Sequence, residues 1–147
     1  MASARGEEML WRTYNLAQLA EAYGAAGRIS DGLEATAEAL GLVQQNGETW
    51  WEAEIHRLRG ELLLKQNRAN TAEARVSLER AIEIARKQGA KSLELRATTN
   101  LARLLAKQGK RDEARAILTD IYNWFTEGFD TADLKDAKAL LDDELRA

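Results

Sequence analysis

Chemistry needs groups that can trade protons, attack or ligate, and this 147-residue sequence holds few of them: His56 is its single histidine and cysteine is absent. A protein zinc site draws on three or four His, Cys or carboxylate ligands in a fixed pattern, and no second imidazole or thiolate exists to join His56. His56 therefore reads as a packed side chain or one at the edge of a groove. The carboxylate doublets Glu7-Glu8 and Asp142-Asp143 are adjacent in sequence, so on a helix they diverge and solvate its surface instead of sharing a proton. No G-x-x-x-x-G-K-[ST] phosphate loop is present. The aromatic doublets Trp50-Trp51 and Trp124-Phe125 could form a ligand platform, but large aromatics near helix ends more often fill gaps between elements, and at least one member of each pair is expected to be buried. The reading is a non-enzymatic protein without cofactor or metal, whose function lies in a surface.

What shapes that surface is helix. The sequence has no proline and is rich in Ala, Leu, Glu and Arg, which lose little rotamer freedom in a helix, so an all-α fold is expected. At 45% hydrophobic and 31% charged residues, the chain suffices for one domain with a real core, spanning 1–147. No run approaches the roughly 18 apolar residues of a membrane span, and Met1 to Gly6 lacks the apolar stretch of a signal peptide. With the missing cysteines, this predicts a cytoplasmic protein with no membrane partner. A formal net charge of −3 supplies no basic excess for a phosphate backbone, which argues against nucleic acid.

Punctuation sets the element lengths. Gly27, Gly47, Asn67, Gly89, Gly109 and Gly128 fall at intervals of 20, 20, 22, 20 and 19 residues, and each can take the positive φ that ends a helix. Seven helices are predicted, with Asp31/Glu34 and Asn70/Glu73 as capping-box-like starts and Asp130/Asp133 opening the last. A longer period underlies them. Ala20, Gly60 and Ala102 are 40 and 42 residues apart, as are Tyr23, Leu63 and Leu105, whereas Gly32, Ala74 and Ala114 are 42 and 40 apart. Two helices thus make one repeat, at about 7–47, 48–89 and 90–128, followed by a capping helix at about 131–146. The change of phase places two extra residues in the turn from Asn67 to Asn70. Small residues at the recurring positions let paired helices approach within the roughly 8–10 Å of close packing. In the second repeat, one apolar stripe runs through Trp51, Ile55, Leu58 and Leu62. The repeat register instead puts His56, Arg59, Gly60 and Leu63 on the seam, so a broad apolar face is expected.

Leu101-Ala102, Leu105, Gly109, Ala114 and Leu118 together resemble a tetratricopeptide repeat (TPR), which places a large-small pair, a large residue, a turn glycine and a small residue in that order. W-E-A-E-I-H-R-L-R-G-E-L-L-L at Trp51–Leu64, A-I-E-I-A-R-K-Q-G-A-K-S-L-E-L-R-A at Ala81–Ala97 and W-F-T-E-G-F-D-T-A-D-L-K-D-A-K-A-L-L at Trp124–Leu141 resemble the C-terminal TPR region of bacterial multidomain regulators that carry adenylate or guanylate cyclase and AAA-type ATPase domains upstream. The resemblance implies a right-handed solenoid of three helical hairpins plus a cap. It also implies a groove lined by the first helix of each repeat, here through Tyr14, Ala17 and Glu21; Glu54, Arg57 and Glu61; and Arg96, Thr99, Arg103 and Lys107. Arg96, Arg103 and Lys107 are expected as one basic stripe, because spacings of seven and four return to nearly one azimuth. The implied function is a protein-interaction or regulatory module of a signalling protein, binding a peptide or partner domain, including upstream cyclase or ATPase domains of the same polypeptide. The alternatives are a small-effector sensor and a self-association module forming a homodimer.

Overall fold

The structure is a computed structural model, described for residues 4–47 and 49–146, with side chains from Trp11 onward except at Glu48. The described residues form seven helices and no strand: α1 (Ala4–Ala25), α2 (Ile29–Asn46), α3 (Glu52–Gln66), α4 (Thr71–Gln88), α5 (Lys91–Lys107), α6 (Arg111–Tyr122) and α7 (Ala132–Asp143). The all-α expectation holds. Gly27, Gly47, Gly89 and Gly109 each sit at positive φ just past α1, α2, α4 and α5, where a side chain would be strained.

Other punctuation differs from the sequence reading. Asn67 is extended at φ −161°, and its side chain accepts from the backbone N–H of Ala69. The 3-10 turn Arg68–Asn70 that follows absorbs the extra residues of the second repeat. Gly128 has positive φ but closes no helix, because α6 stops at Tyr122 and the third pair ends six residues earlier than its expected boundary. Neither capping-box start is made, and Asp130 makes no cap of the last helix. Helix α2 begins at Ile29, which puts Asp31 inside the first turn, where it pairs with Arg28 Nε at 2.8 Å. The Asn70 amide instead donates to Leu63 O and to Gln66 Oε1, closing α3. Asp130 lies outside α7, and the residue preceding that helix is Thr131. The start expected for α3, Glu48, lies outside the described residues; the described helix begins at Glu52.

The helices pack as three hairpin-like pairs, α1 with α2, α3 with α4 and α5 with α6, while α7 lies against α5 and α6. Between pairs, α1, α3 and α5 touch one another in order. The backbones of α2, α4 and α6 stay apart, with the Arg75–Glu113 ion pair bridging α4 and α6 at 3.2 Å.

The small residues lie where each pair crosses. A Cβ on Gly60 would stand 2.9 Å from Leu78 Cγ and 3.2 Å from the Ala74 carbonyl oxygen; one on Gly32 would meet Leu62 at 3.1 Å and the Ala20 carbonyl oxygen at 3.3 Å. Ala102 and Ala114, at the matching positions of the third pair, are fully buried. The second and third seams are closed by large apolar residues in the same register, Leu63 and Leu78, then Leu105 and Leu118, whereas the first has half-buried Tyr23 and buried Thr36 there. Helix α3 buries both predicted stripes, Ile55, Leu58 and Leu62 with Gly60 and Leu63, because it has neighbours on several sides. Arg59 is half-buried there and donates to Ser77 Oγ at 2.8 Å. In the first pair Leu19 is exposed. Helix α7 presents Leu134, Ala137 and Leu140 to the core. Removing a side chain of that size from such a site costs about 2–5 kcal/mol.

Candidate functional site

On the face formed by α1, α3 and α5 the residues change character. Glu54 and Arg57 are three apart on α3, so they share one side of the helix, yet they are only 4% and 9% exposed. Charge buried to that degree must be paired, and here the pairing is multiple. Arg57 grips Glu54 with two bonds, Nε to Oε2 at 3.0 Å and Nη2 to Oε1 at 2.5 Å, and reaches Glu61 at 3.2 Å through Nη1. From α5, Arg96 adds Nη1 to Glu54 Oε1 at 3.4 Å. Asn100, one helical turn further along α5, donates to Glu61. Burial works against the charge on Arg57, but its hydrogen bonds to Glu54 and the nearby Glu54, Glu61 and Glu21 carboxylates outweigh it and raise its pKa. Arg96 is also raised: burial opposes its charge, and the bond to Asp133 together with Glu54 overcomes it.

These groups line a cavity of about 480 Å³, within the range of small-ligand sites. The cavity unites Tyr14, Ala17, Glu21, Glu54, Arg57, Glu61, Arg96, Thr99 and Arg103, nine of the ten groove residues named from sequence. Thr99 is buried and spends its hydroxyl on the Leu95 carbonyl, 2.8 Å away within its own helix. Lys107 is the one left out. It lies a turn beyond Arg103, at the end of α5, and lines a different cavity.

The predicted basic stripe is therefore not a free surface. Arg96 Nε donates to Asp133 at 2.8 Å and Arg103 donates to Asp136, two aspartates three apart at the start of α7. With Arg57 already held by two glutamates, all three guanidinium groups of the cavity are engaged. The five carboxylates there (Glu21, Glu54, Glu61, Asp133 and Asp136) outnumber them. Asp133, Asp136, Gln18, Asn100 and Trp51 are lining residues that the repeat register did not name. The signal for the aspartates was present, since Asp133 and Asp136 are three apart beside the apolar Leu134–Ala137 face.

One end of the cavity is aromatic. Tyr14 lies 5.6 Å from Trp51 and 6.1 Å from Trp50, centroid to centroid, nearly parallel to the latter, with Trp11 edge-on at 6.1 Å. The expectation that one member of each aromatic doublet is buried is not met in full: Trp51 and Phe125 are half-buried, and Trp50 and Trp124 are exposed. These rings pack on each other and on neighbouring side chains at the ends of helices, so one face of each stays wet. The Trp51 indole N–H is buried without an acceptor.

His56 lies away from this cavity, half-buried on α3, with Nε2 3.8 Å from Glu52. Burial, then Arg80 and Arg59, push its pKa down to about 4, so the ring is neutral at pH 7. Among the described residues no group of three or more His, Asp or Glu side chains is placed to hold a metal ion, and no helix is long and apolar enough to cross a membrane.

No family model matches the chain, and no solved structure matches it. An uncharacterized protein of Rhizobium meliloti (strain 1021) is 37% identical to it over 81 residues, a match that covers 55% of this chain and 8% of that protein. The chain thus spans less than a tenth of the length of this curated relative.

Proposed function

We propose that the chain is a TPR-like solenoid module, non-enzymatic, that binds a peptide or partner domain on the face of α1, α3 and α5 as part of a larger bacterial signalling protein. The observation that carries this reading is the buried Glu54–Arg57 pair, joined by half-buried Arg96, facing the cavity. Apolar residues of similar volume would hold three helices together as well or better, so a charged lining on this face serves recognition better than it serves stability. The packing is consistent with a solenoid, since first helices that touch in order and second helices that stay apart describe a layer curved towards the cavity. Similarity to a small part of a much longer protein suits a module embedded in a multidomain chain, as in the cyclase and ATPase regulators that the sequence resembles. A second reading, a sensor for a small effector, is favoured by the cavity's volume.

Gln18 is exposed and lines the cavity without joining the core, so Gln18→Trp fills the space and leaves the fold alone. On a peptide array, the wild type should capture a set of peptides that Q18W loses at unchanged melting temperature. Peptides held equally by both proteins would overturn the reading. A thermal-shift screen of metabolites addresses the sensor: stabilisation of wild type but not of Q18W would replace the peptide with a small molecule.

A further inference from the structure

The second cavity, the one that contains Lys107, differs in kind from the first. It measures about 710 Å³ and lies where the ends of α3 and α5 meet the turn into α4. Its apolar lining comes from Leu64, Leu78 and Leu104. Around it stand Lys65, Arg68 and Lys107, all exposed. None of the three makes an ion pair among the described residues. The charged groups shared with the first cavity are Glu61 and Arg103, and each already has a partner.

We infer that this cleft is a second binding site, for an acidic peptide segment of a partner protein that carries apolar side chains between its carboxylates. The charge is the first argument. Three cations without an ion pair among the described residues come from the ends of α3 and α5 and from the turn between α3 and α4, in a chain whose net charge is negative. Lysines at helix C-termini also offset the helix dipole, and Lys65 and Lys107 do so here. Each helix end supplies only about half a negative charge, however, so three full positive charges leave a surplus. The apolar lining is the second argument. A bare anion such as phosphate would leave the half-buried Leu64 and the aliphatic stems of Lys65 and Lys107 without use, and a nucleic-acid backbone asks for a longer basic track than three residues supply. Alternating carboxylate and leucine-like side chains satisfy both parts of the cleft at once.

The test is fluorescence anisotropy with a labelled ten-residue peptide alternating Leu and Glu, its Leu/Gln analogue and its Leu/Lys analogue, at low and moderate salt. The Leu/Glu peptide should bind at least about tenfold more tightly than either analogue, and added salt should weaken it. Lys65→Glu with Lys107→Glu should abolish binding with only a small fall in melting temperature, because neither side chain has an ion pair to lose and each gives up only its offset of a helix end. Q18W should bind as wild type, which separates this site from the first cavity and keeps the two readings independently testable. The inference is overturned by equal affinity for the Leu/Gln analogue, by retained binding in the Lys65/Lys107 variant, by loss in Q18W, or by self-association of the wild type in light scattering that the Lys65/Lys107 variant loses, which would make the occupant a second copy of this chain.

Discussion

Helix α3 has two sides that obey different rules. Towards α4 it offers Gly60 and Leu63, and the crossing there is decided by whether an extra carbon fits beside Leu78. Towards α1 and α5 it offers Glu54, Arg57 and Glu61, and contact there is decided by whether every charge has a partner. The first side is steric and local, the second electrostatic and assembled from four helices. A fold can be stable on the first alone. The second adds little to stability that leucines would not, which is why it draws the functional reading.

The largest expected effect breaks the second side. Glu54→Leu leaves the buried Arg57 with Glu61 alone and removes a partner from Arg96, and should cost about 3 kcal/mol in urea denaturation. Adding Arg57→Met should restore most of that loss, since a well-packed apolar pair replaces a buried ionic one, while peptide capture by the first cavity stays lost. If the single variant were as stable as wild type, the network would be solvated surface and the contrast between the two sides would disappear.

The steric side should respond almost as strongly. Gly60→Val should cost about 2–3 kcal/mol: its Cβ falls 2.9 Å from Leu78 Cγ and 3.2 Å from a backbone oxygen that cannot rotate away. Better helix propensity returns less than about 1 kcal/mol of this. The midpoint should fall with the denaturant slope unchanged, and peptide binding corrected for the folded fraction should match wild type. A stability equal to wild type would show that α3 and α4 cross elsewhere.

The difference between the sides also explains what could be read without coordinates. Gly32, Gly60, Ala74, Ala102 and Ala114 were legible because close crossing recurs every 40 to 42 residues and tolerates only small side chains. The groove residues on α1, α3 and α5 were legible as a group for the same periodic reason. Their state was not. Arg96 finds Asp133 and Arg103 finds Asp136 across 37 and 33 residues, on a helix outside the repeat, so no period announces that the basic stripe is already engaged. Lys107 shares their azimuth but lies a turn further on, beyond the reach of α7. Helix caps differ for a local reason: the tight link lets α2 begin two residues before Asp31, and at the start of α4, which does fall after Asn70, the Asn70 amide is drawn back to Leu63 O.

The smallest expected effect concerns the one titratable ring on α3. Its Nε2 lies near Glu52, yet burial with Arg80 and Arg59 holds the pKa at about 4, against roughly 6.5 in an unfolded chain. Between those values the unfolded chain binds a proton that the folded one does not, so stability falls as the pH is lowered there. The contribution is fully present above about pH 6.5 and is lost as pH drops towards 4. For a ring partly open to solvent, this amounts to on the order of 1–2 kcal/mol. The comparison to make is wild type against His56→Gln, by urea midpoints at pH 7, 5.5 and 4, because carboxylates elsewhere titrate in both proteins and cancel. The two should agree at pH 7 to within about 0.5 kcal/mol, and wild type should lose more than the variant on going to pH 4. Parallel curves would mean that the ring is charged in the folded state with Glu52 as its partner, and that an ionic contact has entered the side of α3 assigned here to steric fit.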